Sequence, residues 1–374
     1  YKPGDVVLVQ YELAALKLAE AVYAKLLERG VNPVPRLALT PAMESAFYGK
    51  ADEAQLVFQA PGQAELHENL HGAMHLLGPD SLTHLSGVDP KRIAAAAVAR
   101  KPLRDILVGR EERGEFGWTL CLYPTAELAA KAGLSKKDYA AQVVAACFLK
   151  DPDPVARWRA LYEEVREIKA WLGSIKADHL HVESAGVDLK VSVGERRRWL
   201  GLSGHNIPSF EIFTSPDWRG VSGRYFADQP SYRSGNLVSG VRLTFKDGQV
   251  AEVSAEQGEQ FVRKQLAMDP GASRIGEFSL TDRRFSRIDK FMANTLYDEN
   301  FGGPNGNCHV AVGSSYSDTY DGDPASLDAA KKAELGFNDS ALHWDLVNTE
   351  PKRVRAHLAD GGDVTIYEDG QFTY

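Results

Sequence analysis

The chain has 374 residues, a formal net charge of −8, 44% hydrophobic and 25% charged residues. That length supports a sizeable core, and the acidic balance argues against a nucleic-acid or anionic-membrane surface. Cys121, Cys147 and Cys308 are far apart and odd in number, which fits a reducing compartment better than a disulfide framework.

The opening YKPGDVVLVQYE reads as a turn and a strand rather than a signal segment. No apolar run approaches a membrane span, so a cytoplasmic location without membrane contact is expected. Residues 6–10 are a short apolar run suited to a buried parallel strand. Leu13, Leu16, Ala19, Val22, Tyr23 and Leu26 then recur at helical spacing over residues 12–29, with Gly30 placed as a cap. Residues 34–39 read as the next strand. Strand, helix, glycine and strand make a βαβ unit. The first strand-to-helix turn, QYELAA, lacks the glycines a dinucleotide fold needs to admit a pyrophosphate. A Rossmann-like α/β architecture without a nucleotide is expected.

His67–Glu68–Asn69–Leu70–His71 spells H-E-x-x-H. On one helix it would align both imidazoles beside Glu68 as a base, the arrangement of a zincin-type endopeptidase. Gly72 follows at once, AMHLLG reads as a strand, and the longer zincin signature is missing. The preferred reading gives His67 and His71 no metal role.

Residues 93–100 form an alanine-rich helical stretch, and residues 103–108 and 118–122 read as strands. Thr125 opens a helix to Lys131, and Ser135 caps another over residues 136–149. Over residues 154–172, Trp158, Leu161, Val165, Ile168 and Leu172 form one apolar stripe of a long helix, the expected connector between domains. After Lys176 strand-like alternation dominates, and LTFKDGQV reads as a hairpin turning at Asp247-Gly248. The expected organisation is an α/β scaffold domain over residues 1–175 and an α+β metal-binding catalytic domain over residues 176–374.

Strand-like runs of this second half carry hard or borderline metal ligands: Glu211 in FEIFT, Glu277 in RIGEFSL, His309 in CHVAV, His343 and Asp345 in LHWDLV. A carboxylate between apolar neighbours is costly to bury unless it is paired or binds metal. His343 and Asp345 stand at i and i+2, which on a strand aims both at one face. Carboxylates with two imidazoles suit a pair of Zn²⁺, Co²⁺ or similar ions. Cys308 points to the opposite face from His309 and reads as an inert buried thiol. Glu299 in YDENFGG reads as a solvated acid beside a loop, and His205 as a loop residue. No G-x-S-x-G elbow supports serine-hydrolase chemistry.

NIPSFEIFTSP, RIGEFSLT, LYDENFGG, HVAVGSSY and the closing H-x-D occur in this order. Together they resemble the aminopeptidase T family of metallo-aminopeptidases, over residues 176–374. The resemblance implies that Glu211, Glu277, His309, His343 and Asp345 bind two divalent ions, Zn²⁺ or Co²⁺ before Mg²⁺ or Mn²⁺. It implies an acidic position at Glu299 beside the metals, Glu277 or Glu299 as general base, and Tyr316 as an oxyanion donor over the metal centre. It further implies a homodimer acting on peptides with a free N-terminus. A non-catalytic metal- or ligand-binding protein on the same fold is the alternative from another class.

Overall fold

The computed structural model describes residues 1–374. Its first half builds a parallel sheet in the order Asn32–Leu37, Val6–Tyr11, Gly72–Leu77, Gly117–Leu122, closed by the short strand Asn206–Ile207. The continuous apolar run of the Val6–Tyr11 strand has the cause expected of a central strand, burial on both faces. Val7 and Val9 pack with Ala15, Ala19 and Leu26 on one side, while Leu8 packs with Leu70, Ala73 and Phe116 on the other. The helix Leu16–Glu28 returns the chain to the parallel neighbour Asn32–Leu37, so the βαβ unit is present. Glu12, in the glycine-free turn, accepts a hydrogen bond from the Gly78 amide at 2.5 Å.

Two features of this half differ from expectation. Residues 103–108 are not a strand but belong to one helix, Pro90–Glu112, which runs through Pro102. Pro102 removes one backbone donor, yet Leu103 and Leu107 continue the helical spacing, and Leu103 is buried. The H-E-x-x-H stretch is also divided. The helix Gln63–Asn69 ends before His71, so no helix carries both imidazoles. His67 Nδ1 lies 2.7 Å from the Gln63 carbonyl, and His71 Nδ1 accepts from the Val6 amide at 3.1 Å. Each ring is used by local backbone.

The second half is antiparallel. An eight-stranded sheet includes the hairpin Val241–Lys246 and Gln249–Ser254, turning at Asp247 and Gly248 with φ of 50° and 77°. Two left-handed residues are what a tight two-residue hairpin loop requires. A four-stranded sheet orders His343–Asn348, Asn307–Gly313, Ile275–Thr281 and Glu211–Thr214. The helix Pro154–Ser174 buries Leu161, Val165, Ile168 and Leu172 as its stripe predicts. The largest apolar core draws Leu128 and Tyr139 from the first half and Ile212 and Phe278 from the second. No helix is long and apolar enough to cross a membrane.

Candidate metal centre

The four-stranded sheet sorts its residues by parity. Side chains alternate along a strand, so residues opposite one another in the ladder share a face. Glu277 pairs with Ala311 and Ala311 with Asp345, Ser279 with Phe213 and His309, Thr281 with Glu211, and Gly313 with His343. Glu211, Glu277, His309, His343 and Asp345 therefore lie on one face, interleaved with the small Ser279, Ala311 and Gly313. The other face carries Ile212, Phe278, Leu280, Cys308, Val310, Val312, Trp344 and Leu346, all buried. One apolar face fixes the register, because a slip by one residue would turn five polar groups into the core.

The five side chains meet in two groups, Glu211–Glu277–His309 and Glu277–His343–Asp345. His309 Nε2 lies 3.3 Å from Glu211 Oε2 and 3.2 Å from Glu277 Oε1. His343 Nε2 lies 3.3 Å from Glu277 Oε2 and 3.4 Å from Asp345 Oδ1. Glu277 thus turns one oxygen to each group. His343 Nδ1 lies 2.9 Å from the Ser314 carbonyl and donates to it, which leaves Nε2 as the nitrogen that faces the carboxylates and could bind a metal once deprotonated. That is the tautomer a metal-binding imidazole takes.

Glu299 follows the short helix Thr295–Asp298 and lies outside both groups. Its Oε1 accepts from Asn206 at 3.1 Å and more weakly from Asn300 at 3.4 Å. It is buried, not solvated. Burial, then the charges of Glu211 and Asp345, hold its pKa well above the carboxylate range. Burial and the Glu277 charge also raise Glu211, against the hydrogen bond from His309. Burial lowers both imidazoles, but the carboxylates outweigh it, holding His309 well above its ordinary value and His343 at about 10. Even with both rings protonated and the Arg233 charge acting on Asp345, four carboxylates outnumber the positive charges. Buried charge in that excess must be neutralised by protons or by cations. A nitrogen-and-oxygen donor set with one shared carboxylate fits a pair of divalent ions, which would leave the acids ionised and the imidazoles neutral.

Asn300 holds the first group in place, a role that sequence reading missed. It is fully buried; its Oδ1 accepts from the Phe210 and Glu211 amides at 2.5 and 3.1 Å, and its Nδ2 donates to the Leu296 carbonyl at 3.0 Å. Asn300→Ala strands those buried amides, at about 1–3 kcal/mol for each unpaired group. We expect a lower denaturation midpoint together with reduced metal retention. Equilibrium unfolding with and without added metal measures both.

The sheet face opens into a cavity of about 1050 Å³ between the two halves of the chain. Glu211, Glu277, Glu299, Tyr316, His343 and Asp345 line it, as do Glu111 and Trp118 of the first half. Tyr316 is 37% exposed and sets its ring edge-on to His343, with centroids 4.8 Å apart. His205 lies in the bend just before the strand Asn206–Ile207, as expected of a loop residue, and its ring stacks on Trp118 at 4.4 Å.

The family model described as thermophilic metalloprotease (M29) matches residues 1–372. The chain belongs to this family. The M29 match includes the first half, so the likeness is wider than residues 176–374, where the ordered motifs lie. Aminopeptidase 2 of Geobacillus stearothermophilus is 29% identical over 403 residues, covering 100% of this chain and 94% of that protein. Aminopeptidase T of Thermus thermophilus is 30% identical over 313 residues, covering 77% and 71%. The solved structure of wild-type AmpT from Thermus thermophilus superposes with a TM-score of 0.80 over 100% of this chain and 95% of that one. At 23% identity this structural match speaks for a shared mixed α/β fold.

Proposed function

We propose that this M29 metalloprotease is an aminopeptidase that releases N-terminal residues from peptides. The observation that carries the reading is the convergence of five strand-borne ligands on one sheet face, opening into a cavity large enough for a short peptide. Glu211, Glu277 and His309 would hold one divalent ion, and Glu277, His343 and Asp345 a second, with Zn²⁺ or Co²⁺ best matched to the donors. When bound, such a pair polarises the scissile carbonyl and brings the pKa of a water toward neutrality.

The remaining steps fall to the chain's own residues. Glu299 is the better candidate than Glu277 for taking the water's proton and returning it to the leaving amine. Both oxygens of Glu277 already face imidazoles, whereas Glu299 has Oε1 fixed by Asn206 and Asn300 and Oε2 unengaged. Tyr316 keeps its phenolic proton at neutral pH like any tyrosine, and desolvation of its hydroxyl and the Glu277 charge raise its pKa further. It can therefore donate to the developing oxyanion. A homodimer in the cytoplasm belongs to the same reading. So does the division into a scaffold over residues 1–175 and a catalytic domain over residues 176–374, with Asn206–Ile207 returning to the scaffold's sheet.

Hydrolysis of leucine p-nitroanilide, lost on chelation and restored by Zn²⁺ or Co²⁺, is the expected result. An N-acetylated peptide should remain intact. Metal binding without amino-acid release would favour the non-catalytic alternative, and internal cleavage of the blocked peptide would favour an endopeptidase. His343→Ala should abolish hydrolysis while His71→Ala leaves it unchanged; the reverse pattern would return the chemistry to the H-E-x-x-H stretch.

A further inference from the structure

The basic groups around the cavity are already engaged. Lys101 lies 2.8 Å from Asp105 and 3.1 Å from Asp339, and Lys332 lies 3.0 Å from Glu112. Arg104 donates to the Ser340 and Ala341 carbonyls at 2.6 and 3.1 Å, and Arg274 stacks over Trp218 at 3.9 Å. Outside the metal centre, Glu111 and Asp318 of the same cavity have no lysine or arginine salt-bridge partner. Glu111, near the end of the helix Pro90–Glu112, accepts from Trp118 Nε1 at 3.1 Å and faces His205 Nε2 at 3.2 Å, both through Oε1. Asp318, in the turn Ser317–Thr319 just beyond Tyr316, has a buried Oδ1 with no hydrogen-bond partner. The nearby Arg198 Nε donates at 2.7 Å to the Asp318 backbone carbonyl, not to its carboxylate. Burial, then the Asp318 charge, pushes Glu111 up to about 7, and burial pushes Asp318 up to about 6 against the charge of Arg198. Burial lowers His205, so it brings no compensating charge at neutral pH.

We propose that Glu111 and Asp318, with the Trp118 ring beside them, form a subsite for an ammonium or guanidinium group near the N-terminus of the substrate. A carboxylate left unpaired in a cavity gains most from an incoming cation, which supplies both the missing charge and the missing donors. Such a cation has two sources on a peptide, the free α-amine and a lysine or arginine side chain. The inference rests on the aminopeptidase reading and adds to it the residues that read substrate charge.

The test uses Glu111→Gln and Asp318→Asn in the metal-loaded enzyme, with leucine, lysine and arginine p-nitroanilides as substrates. Inhibition by 4-methylpentanamide, an uncharged analogue, serves as a control for general damage to the cavity. Each substitution should lower kcat/KM by about tenfold or more, mainly through KM, while the inhibition constant of the uncharged amide holds. Equal losses on all three substrates assign the subsite to the α-ammonium, and larger losses on lysine and arginine assign it to the side chain. Unchanged kcat/KM on all three, or a parallel weakening of the uncharged amide, overturns the proposal. Wild-type protein inert toward leucine anilide would refute the aminopeptidase reading itself; active wild type with inert substitutions removes only the subsite.

Discussion

Glu299→Gln is expected to lower kcat by roughly 10²–10⁴-fold, the usual contribution of a positioned general base, with little loss of metal. The argument is geometric. Glu299 lies outside both ligand groups, and its Oε1 is held by Asn206 at 3.1 Å and Asn300 at 3.4 Å. A glutamine keeps an oxygen for those two donors but cannot take a proton from water. Glu277→Gln should behave differently, because Glu277 belongs to both groups and its removal costs the shared ligand. Measured side by side, kcat and metal content separate the two roles. Metal loss in Glu299→Gln with full activity on metal re-addition would make Glu299 a ligand and not a base.

The second large effect concerns Tyr316→Phe, which should lose about 2.7–4 kcal/mol of transition-state stabilisation, the range for one oxyanion donor. The ring is held independently of its hydroxyl. It packs edge-on against Phe213 at 5.6 Å and His343 at 4.8 Å, and the Tyr316 amide donates to Ser215 Oγ at 2.9 Å. Phenylalanine preserves those contacts, so the loss should fall equally on kcat and kcat/KM. A raised KM at constant kcat would make the hydroxyl a ground-state contact instead.

The candidate ligands on strands were legible because strand periodicity is local. His343 and Asp345 at i and i+2 share a face in any strand, and Glu277 and His309 stand within apolar runs that had to be strands. Their meeting is a matter of register, set by the apolar face that carries Phe278, Val310 and Trp344. Glu299 and Asn300 were harder to read, since their partners lie about ninety residues away, at Asn206 and in the Phe210 and Glu211 amides. Glu111, Trp118 and His205 carry no motif at all. They meet because the parallel sheet seats Gly117–Leu122 beside Asn206–Ile207. Residues 103–108 read as a strand when taken alone, but a proline removes only one hydrogen bond and the helical apolar spacing continues across Pro102. The H-E-x-x-H match shows the converse, a pattern whose helix ends before its second histidine.

Anomalous diffraction from crystals loaded with Zn²⁺ tests the central claim most directly. The account predicts two peaks per chain, one among Glu211, Glu277 and His309 and one among Glu277, His343 and Asp345. Peaks at His67 and His71, or none on this face of the four-stranded sheet, would contradict it.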